Sequence, residues 1–243
     1  MPRPIVVIPA RMAAQRLPGK PLADIGGLPM IVRALRQAEA AGIGPVAVAA
    51  GDSEIVEAVR AHGGQAVLTD PSLPSGSDRI RAALPELDPE GRHDLVINLQ
   101  GDMPLVEPDT IRALVRLFED HPGLGMGTLV APEASPADRT NADVVKAVLA
   151  LARDARQGRA LYFTRSTLYG EGPIWRHIGL YGYRPEVLEG FTAAPPSALE
   201  RREKLEQLRA MELGVEIWAA VVDEAPISVD NPDDLEAARA AAR

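Results

Sequence analysis

The feature that most constrains this chain is its opening stretch, where a run of branched apolar residues leads directly into a short basic loop. Residues 5–8 read Ile-Val-Val-Ile, which predicts a strand that is buried on both faces of a sheet. Pro9 ends the strand because it lacks a backbone donor, and Pro18-Gly19 forms a turn that stiffens the loop. The loop carries three cations, Arg11, Arg16 and Lys20. In open α/β sheets a basic loop at the carboxyl end of the first strand is a usual place for an anionic ligand, so we expect an anion site here rather than an ordinary surface loop.

Helices and strands alternate after this loop. The apolar spacing predicts a helix over 30–41, a strand over 46–50, a helix over 54–62 and a strand over 65–68, with Asp52 or Ser53 as the cap of the second helix. This order predicts a parallel sheet with right-handed crossovers. The carboxyl ends of parallel strands meet at one edge, so residues that follow the strands are candidates for a common site.

Two acidic residues follow apolar runs that end at this edge. Asp102 lies after a strand predicted over 94–99, and Asp230 follows Val229 just ahead of Asn231, which we expect to cap the last helix. A carboxylate in such a place is a good ligand for Mg²⁺, which prefers one or two carboxylates plus phosphate oxygens. The chain has no cysteine, so any metal must use oxygen or imidazole ligands. The alternative for Asp102 is a turn acid at the end of a strand.

A Ser-Gly-Ser-Asp-Arg segment over 75–79 leads into a helix predicted over 79–84. Such a turn presents free backbone N–H groups, which suit an anion or the polar edge of a base. The alternative, a simple helix cap by Ser77 or Asp78, is equally consistent with the local sequence.

The second half of the chain adds strands predicted over 128–131 and 144–149. Lys146 lies inside the second of these apolar runs, so it points into a cleft, pairs or snorkels. From residue 177 polar and apolar residues alternate, so one face of a strand carries His177, Gly179, Tyr181 and Tyr183. A lone histidine is more often structural, but this one shares its face with a tyrosine.

A long helix is predicted over 199–213, and a strand over 215–222 follows it. In this helix the Glu200/Lys204 and Arg202/Glu206 pairs have the i,i+4 spacing that is typical of ion pairs on a helix surface.

Several of these segments belong to longer motifs that resemble one family. The opening Ile-Pro-Ala-Arg, followed by Arg-Leu-Pro-Gly-Lys-Pro-Leu, resembles that of sugar nucleotidyltransferases and, more narrowly, of CMP-Kdo synthetases, which activate 3-deoxy-manno-octulosonate (Kdo). Further motifs resemble the same family at 75–79, 98–104, 141–146, 160–165, 205–209 and 229–235. The chain departs from the family at Met103, where many members have Glu, and at Ala50-Gly51, where relatives commonly have Thr-Asp.

The resemblance implies an α/β fold of the nucleotide-diphospho-sugar transferase type. It implies a single domain over residues 1–243, with a mostly parallel, doubly wound, Rossmann-like sheet and a smaller β-rich insertion, roughly 125–195, for dimerisation and sugar binding. The implied reaction is CTP + Kdo → CMP-Kdo + pyrophosphate, in lipopolysaccharide biosynthesis, by a homodimer. Two alternatives remain open: a cytidylyltransferase for another 2-keto sugar acid, sialic-acid-like or amino-Kdo, and a non-catalytic relative that binds CTP.

The resemblance also implies roles for residues of these motifs. The catalytic set comprises the cations that neutralise the triphosphate, Arg11, Arg16 and Lys20, and the Mg²⁺ ligands, Asp102 and Asp230. The nucleotide is bound by Pro9, Ala10, Arg11, Lys20, Ser75, Arg79 and Gln100. The sugar acid is bound by Gln100, Arg165, His177, Tyr181, Glu206 and Gln207.

Composition argues against several other classes of protein. A net charge of -8 is unfavourable for bulk binding to nucleic acid or to an anionic membrane. No apolar run approaches the ~20 residues of a membrane helix, and the first strand begins within about five residues of the start, which leaves no room for a signal peptide. We therefore expect a cytoplasmic enzyme that acts on small molecules.

Overall fold

The computed structural model describes residues 1–13 and 17–242, and the chain divides into two compact units. One unit comprises residues 1–112 and 226–243, and the other comprises residues 113–225. Both units combine strands with helices, so the α/β class predicted from the sequence is confirmed. Within the described residues no helix has both the length and the apolar character needed to cross a bilayer.

The elements are numbered here in chain order. The strands are β1 (Pro4–Ala10), β2 (Asp24–Ile25), β3 (Leu28–Pro29), β4 (Val46–Ala50), β5 (Gln65–Leu68), β6 (Leu95–Asn98), β7 (Met126–Pro132), β8 (Lys146–Ala150), β9 (Gln157–Thr164), β10 (Trp175–Tyr183) and β11 (Ile217–Val221). The helices are α1 (Met30–Ala41), α2 (Ser53–Ala61), α3 (Gly76–Leu87), α4 (Pro108–Asp120), α5 (Pro185–Ala193), α6 (Ala198–Glu203), α7 (Gln207–Glu212) and α8 (Pro232–Ala241).

The first unit is built on a parallel sheet in the order β5-β4-β1-β6. Strand β1 pairs in parallel with β4 on one side and β6 on the other, and every one of its residues is buried. This confirms the buried first strand and the parallel pairing that the alternation of elements predicted. The prediction that Pro9 ends the strand is wrong, because β1 continues to Ala10 and pairs with β4 opposite Ala49 and Ala50. Because β1 and β6 run in the same direction, the segments that follow them leave the sheet at the same edge.

The starts of α2 and α3 differ from the predictions. Helix α2 begins at Ser53 with Asp52 at the N-cap position, one of the two predicted residues, but the Asp52 carboxylate makes no capping hydrogen bond and accepts the N–H of Met12 at 2.7 Å instead. Helix α3 begins at Gly76, three residues earlier than predicted. Its N-cap is Ser75, whose hydroxyl accepts the N–H of Asp78 at 3.1 Å, so the predicted cap at Ser77 or Asp78 is wrong.

Helix α8 begins as predicted, with Asn231 as its N-cap and Pro232 in its first turn. The Asn231 side chain accepts the N–H of Asp234 at 3.0 Å, and the Asp234 carboxylate accepts the N–H of Asn231 at 3.1 Å. This reciprocal pair satisfies two backbone donors that a helix start otherwise leaves without partners. It also fixes the backbone next to Asp230, which directly precedes the N-cap residue.

The second unit is rich in antiparallel pairing. Its strands follow the order β10-β7-β11-β9-β8, with β7 and β11 parallel and the other neighbours antiparallel. The first residues of β10 also pair with β8, which closes this order into a ring. The register between β10 and β7 shifts between Ile178 and Tyr181, within the strand that carries the predicted histidine.

The single helix predicted over 199–213 is wrong, because the chain breaks it into α6 and α7. Lys204 ends α6 in the left-handed conformation, with φ of 56°. The predicted Glu200/Lys204 surface pair is absent, since Glu200 instead forms a double hydrogen bond with Arg209, at 2.6 and 2.7 Å. Arg202 lies 3.7 Å from the carboxylate of Glu203, and Glu206 lies 4.0 Å from the guanidinium of Arg209. The break lets the chain bring Arg209 back onto the first turn of α6.

Candidate functional site

A cleft of about 860 Å³ opens in the first unit beside the carboxyl end of β1. Its walls are the loop after β1, the start of α3, the segment after β6 and the segment before α8. Among its lining residues are nine that were predicted for the nucleotide or for Mg²⁺: Pro9, Ala10, Arg11, Lys20, Ser75, Arg79, Gln100, Asp102 and Asp230. Arg16, the other predicted cation, lies outside the described residues. The fold therefore gathers into one cleft residues that are far apart in sequence.

Lys20 forms two ion pairs in this cleft. Its Nζ lies 2.7 Å from Oδ2 of Asp102 and 3.2 Å from Oδ1 of Asp230. Gly19, with φ of 72°, makes the left-handed turn that leads into the short 3-10 turn Lys20–Leu22. The Lys20 side chain is 14% exposed, against 25% for Asp102 and 45% for Asp230, so the ammonium is the most deeply held of the three groups.

The two acids meet because the C-terminal segment is tied to the segment after β6. The N–H of Val229 donates to the carbonyl of Asp102 at 2.9 Å. Asp230 comes next, and its own N–H donates to the carboxylate of Asp234 in the first turn of α8. The backbone on both sides of Asp230 is therefore fixed, which directs its carboxylate towards the same ammonium as Asp102.

The two carboxylates that meet at Lys20 offer oxygen ligands at one point. Burial raises the pKa of the Asp102 carboxyl, the Lys20 ammonium opposes this shift, and the negative charge of Asp230 adds to it. The donor set of the two carboxylates is oxygen only, which suits Mg²⁺ better than Zn²⁺. No cluster of three or more Asp, Glu, His or Cys side chains suited to a metal occurs among the described residues. The pair therefore fits Mg²⁺ as a partial shell that phosphate oxygens complete.

Arg79 is buried in the wall of the same cleft, with 2% of its surface exposed. Its Nη1 donates to Oγ1 of Thr69 at 2.6 Å and to the carbonyl of Asp70 at 3.0 Å. Its Nη2 is buried and has no hydrogen-bond partner within the part of the chain that the structure describes. A Cβ at Gly51 would lie 2.8 Å from Nη1, so the lack of a side chain there leaves room for the guanidinium. A buried N–H without a partner is costly, which makes Nη2 a candidate donor to a ligand.

In the second unit, predicted sugar-binding residues gather around β10. The ring centroid of His177 lies 5.0 Å from that of Phe163, edge-on, and 5.3 Å from that of Tyr181. Burial lowers the pKa of His177 to about 3, and the positive charge of Arg165 adds to the shift, so the ring is neutral at physiological pH. Burial also raises the pKa of Tyr181, with a contribution from the negative charge of Glu206. These charge effects place Arg165 near the imidazole and Glu206 near the phenol.

Arg165 is anchored through its side chain and its backbone. Its guanidinium donates to the carbonyl of Ala142 at 3.1 Å, and its N–H donates to the Glu203 carboxylate at 3.2 Å. Its carbonyl accepts from Nζ of Lys146 at 2.9 Å, and the same Nζ donates to the carbonyl of Asn141 at 2.6 Å. Of the three possibilities predicted for Lys146, the structure therefore shows pairing, with backbone carbonyls rather than an acid.

The break between α6 and α7 decides where Glu206 and Gln207 lie. Glu206 is the residue before α7, and Gln207 is its first residue. Gln207 is 5% exposed, and its Nε2 is buried with no hydrogen-bond partner among the described residues. Like Nη2 of Arg79, this amide is a donor that a bound ligand would satisfy.

Comparison with known proteins identifies the family. The sequence matches the cytidylyltransferase family model over residues 5–217. Relatives called 3-deoxy-manno-octulosonate cytidylyltransferase from Rhodospirillum rubrum and Parvibaculum lavamentivorans are 56% and 58% identical, over 98% of this chain and 94% and 92% of their own lengths. A solved structure of CMP:2-keto-3-deoxy-manno-octonic acid synthetase complexed with CTP matches with a TM-score of 0.89 and 37% identity, covering 98% of each chain.

The chain belongs to the 3-deoxy-manno-octulosonate cytidylyltransferase family. The resemblance predicted from the motifs is thereby confirmed, as is the prediction of a nucleotidyltransferase enzyme. The matched regions cover both units of the chain.

The two departures from the family pattern have different structural settings. Met103 is 5% exposed and packs in the interior, and it is not among the residues that line the cleft. Gly51 lies against the Arg79 guanidinium, where Thr69 supplies the polar contact at 2.6 Å. The edge after β4 is therefore without a polar side chain at Gly51, but the buried arginine still has a hydroxyl partner.

Sequence reasoning overlooked three residues that hold the predicted groups in place. Thr69 follows β5 and binds Arg79, Glu203 binds the backbone of Arg165, and Thr128 contacts His177. Of the three, only Thr69 could have been predicted from the sequence, because it follows β5, which belongs to the same parallel sheet as the strands that lead to the cleft. Glu203 and Thr128 act through contacts between elements that no local pattern reveals.

Proposed function

We propose that this chain transfers CMP from CTP to Kdo, in the reaction CTP + Kdo → CMP-Kdo + pyrophosphate, and so supplies an activated sugar for lipopolysaccharide biosynthesis. The observation that carries the proposal is the convergence of Lys20, Asp102 and Asp230 in a cleft lined by Pro9, Ala10 and Arg79. The names of the relatives and of the matching CTP complex support the choice of both substrates.

In this reaction the anomeric hydroxyl oxygen of the sugar bonds to the α-phosphorus, and the bond from that phosphorus to the pyrophosphate oxygen breaks. The protein has little covalent work to do, because phosphoryl transfer depends on positioning and on stabilising charge. Arg11 and Lys20 line the cleft with two preorganised cations for the charge that develops on the leaving pyrophosphate. Arg16 is proposed for the same role from the motif alone.

Asp102 and Asp230 would hold Mg²⁺, with phosphate oxygens completing its shell. When bound, the ion neutralises negative charge on the phosphates and favours one orientation of the triphosphate. In this structure the Lys20 ammonium lies between these carboxylates. We propose that this lysine turns to the phosphates when the nucleotide and its metal arrive.

The nucleotide base is proposed to lie against the end of β1 and the start of α3. Pro9, Ala10, Ser75, Gly76 and Arg79 line the same cleft, and Nη2 of Arg79 is a buried donor without a partner among the described residues. Gln100 also lines it, with its amide nitrogen held by Asn98 at 2.8 Å. Backbone groups and a fixed guanidinium favour one pattern of donors and acceptors on the base, which we propose is that of cytosine.

The sugar acid is proposed to bind the cluster of the second unit. Arg165 offers a cation to the carboxylate of the sugar acid, while the neutral His177 and Tyr181 offer hydrogen bonds to hydroxyls. Glu206 and Gln207 add an acceptor and a buried amide donor. Arg, Tyr and Glu side chains in one cluster suit a ligand that has both a carboxylate and several hydroxyls.

The finer features of the fold are part of the same proposal. We infer that helices cover both faces of the β5-β4-β1-β6 sheet in the doubly wound manner, and that the β-rich segment over 125–195 serves dimerisation. We also propose that the protein works as a homodimer in the cytoplasm. Light scattering coupled to gel filtration would test the dimer.

The experiment that tests the activity is a pyrophosphate-release assay with CTP and a panel of 2-keto sugar acids. We expect the highest kcat/KM with Kdo, and a strong preference for CTP over UTP, ATP and GTP. A higher kcat/KM with a sialic-acid-like substrate or amino-Kdo would reassign the sugar. CTP binding without turnover of any sugar acid would make the chain a non-catalytic relative, and comparable kcat/KM with ATP would overturn the nucleotide assignment.

A further inference from the structure

Thr128 lies beneath His177 in the second unit and is completely buried. The register of β10 against β7 shifts between Ile178 and Tyr181, so two carbonyls of β10 turn towards the same hydroxyl. Oγ1 of Thr128 is 3.1 Å from the carbonyl oxygen of Ile178 and 2.9 Å from that of Leu180. It is also 3.1 Å from Nε2 of His177. One hydroxyl thus meets three polar atoms.

The single proton of the Thr128 hydroxyl decides which nitrogen of the His177 ring is protonated. A threonine hydroxyl has one proton to donate and two lone pairs to accept with, and a carbonyl oxygen can only accept. If the hydroxyl donates to either carbonyl, it can bond to Nε2 only by accepting a proton from it. If Nε2 instead carried the lone pair, the hydroxyl would have to turn away from both carbonyls, at the cost of a buried hydrogen bond.

We infer that Thr128 is a positioning residue that holds His177 as the neutral tautomer with its proton on Nε2, which leaves Nδ1 as an acceptor for a hydroxyl of the sugar acid. The role of Nδ1 rests on the proposed function, whereas the tautomer is a property of the ligand-free protein. His177 thereby distinguishes the hydroxyls of a sugar from its carboxylate, because an unprotonated ring nitrogen repels an anion and accepts from an O–H.

The surroundings of the ring keep it in this arrangement. Phe163 contacts the ring edge-on at 5.0 Å and Tyr181 lies at 5.3 Å on the same strand, which restricts rotation of the imidazole. His177 itself is half-buried as a residue. The hydrogen bonds of the described residues include none to Nδ1. The lowered pKa of the imidazole agrees with a ring that stays neutral.

This assignment divides the work within the cluster. Arg165 is a permanent cation near the ring and suits the carboxylate of a sugar acid. His177 supplies an acceptor, and Tyr181, whose phenol stays protonated, supplies a donor. A ligand that matches this pattern has an anionic group and at least one free hydroxyl.

The tautomer can be read directly by NMR in the ligand-free protein. Protein with ¹⁵N-labelled histidine gives long-range ¹H–¹⁵N spectra in which the protonated and unprotonated ring nitrogens have separate shifts, and His177→Asn identifies the signals of residue 177. We expect a protonated Nε2 and an unprotonated Nδ1 at neutral pH. A proton on Nδ1, or a doubly protonated ring, overturns the inference whatever the activity of the protein proves to be.

Steady-state kinetics of Thr128 variants test whether the tautomer of His177 affects binding of the sugar acid. Thr128→Val removes the hydroxyl at similar volume, so we expect a mixed tautomer population and a KM for the sugar acid about five-fold higher or more, with an unchanged KM for CTP. Thr128→Ser keeps the hydroxyl and should retain the parent spectrum and KM. A Thr128→Val protein with the parent spectrum and the parent KM for the sugar acid contradicts the role of Thr128.

A matched control separates this role from general damage. Thr192 is also a buried threonine of the second unit, and its hydroxyl donates to the carbonyl of Leu188 at 2.7 Å. Thr192→Val loses a buried hydroxyl without touching the histidine, so its spectrum at residue 177 and its KM values should match the parent. If the protein turns over no sugar acid at all, the proposed function fails, while the NMR result still decides the tautomer.

Discussion

Replacement of Lys20 by Met should strengthen metal binding while it weakens catalysis. The ammonium lies 2.7 Å from one carboxylate oxygen of Asp102 and 3.2 Å from one of Asp230. A divalent cation that binds the same two carboxylates must first displace this ammonium. Met has nearly the same shape but no charge, so Lys20→Met removes the competitor and leaves both acids in place.

The two ion pairs set the size of the effect. Asp102 and Lys20 are both largely buried, and a hydrogen bond to a charged group contributes about 1.5–3 kcal/mol. The Asp230 pair is more exposed on the acid side, so it contributes about 1 kcal/mol or less. The displaced ammonium recovers part of this free energy from water. We therefore expect at least a ten-fold lower Kd for the metal in the variant, which corresponds to about 1.4 kcal/mol.

Two measurements test this prediction. Titration with Mn²⁺, followed by electron paramagnetic resonance without nucleotide, gives the Kd, and pyrophosphate release gives kcat/KM. We expect kcat/KM to fall about 100-fold, because one preorganised cation is lost where charge develops. Arg11→Met is the control, since Arg11 lines the same cleft but is not among the groups that shift the pKa of Asp102. It should lower affinity for CTP without lowering the Kd for Mn²⁺.

Structural damage and the proposed displacement have different signatures. A damaged site would bind metal less tightly and turn over more slowly. An unchanged or higher Kd for Mn²⁺ in Lys20→Met refutes displacement by the metal. A Lys20→Met enzyme with the parent kcat/KM removes this lysine from the mechanism.

Three further predictions concern carboxylates and the histidine. Asp102→Asn and Asp230→Asn should each lower pyrophosphate release about 100-fold or more, and Asp102→Asn should melt at or above the parent temperature because burial raises the pKa of Asp102. Glu200→Gln removes the carboxylate that lies 2.6 Å from the guanidinium of Arg209, which is 7% exposed, and leaves Glu206 at 4.0 Å, so the free energy of unfolding in urea should fall by about 3 kcal/mol at neutral pH. Burial alone would raise the pKa of Glu200, but the Arg209 hydrogen bonds lower it below 4.5, so this stabilisation is present above pH 4.5 and is lost as the pH falls further. The pKa of His177 is about 3, against an ordinary 6.5, so the contribution of this group to the stability of the fold is fully present above pH 6.5 and is lost as the pH falls towards 3. For the same reason the pH profile of the rate should show no ionisation of His177 near neutral pH.

Each of these predictions has a result that contradicts it. An Asp102→Asn enzyme as active as the parent would make that residue a turn acid at the end of a strand. Glu39→Gln, which breaks an exposed pair with Arg36, is the control for Glu200→Gln and should cost no more than about 0.5 kcal/mol, so equal urea midpoints for the two variants would exclude a stabilising buried pair. A neutral-pH inflection that His177→Asn removes would show that the ring does titrate there.

Local sequence pattern was sufficient for the buried strands of the first unit and for the start of α8, but not for the starts of α2 and α3. The run Ile5–Ile8 reads as a buried strand because apolar side chains fall on both faces, and the structure has it at the centre of a parallel sheet. The capping of α8 by Asn231 was also readable, since a capping box depends on residues three positions apart. Sheet direction then placed Asp102 and the loop after β1 at one edge, which is why a cleft was expected there.

The local sequence pattern gives a wrong prediction for residues 199–213, which form two helices instead of one. Its residues favour one continuous helix, and their i,i+4 charges suggest surface pairs. The structure breaks the helix at Lys204 because Arg209 reaches back nine positions to Glu200 and lies over the Phe191 ring at 5.0 Å. A nearly buried ion pair of this kind outweighs the small propensities that govern an exposed helix.

The amino-acid sequence thus determined the buried strands, the capped start of α8, the basic loop and the identity of the residues that carry chemistry. These features depend on side-chain periodicity and on hydrogen bonds between near neighbours. Only the tertiary structure decided that one lysine joins acids 82 and 210 positions away, and that a shifted strand register directs two carbonyls and an imidazole to Thr128. Hydrogen bonds form within a few tenths of an ångström of their preferred length, and chain order alone does not specify distances between remote elements to that accuracy.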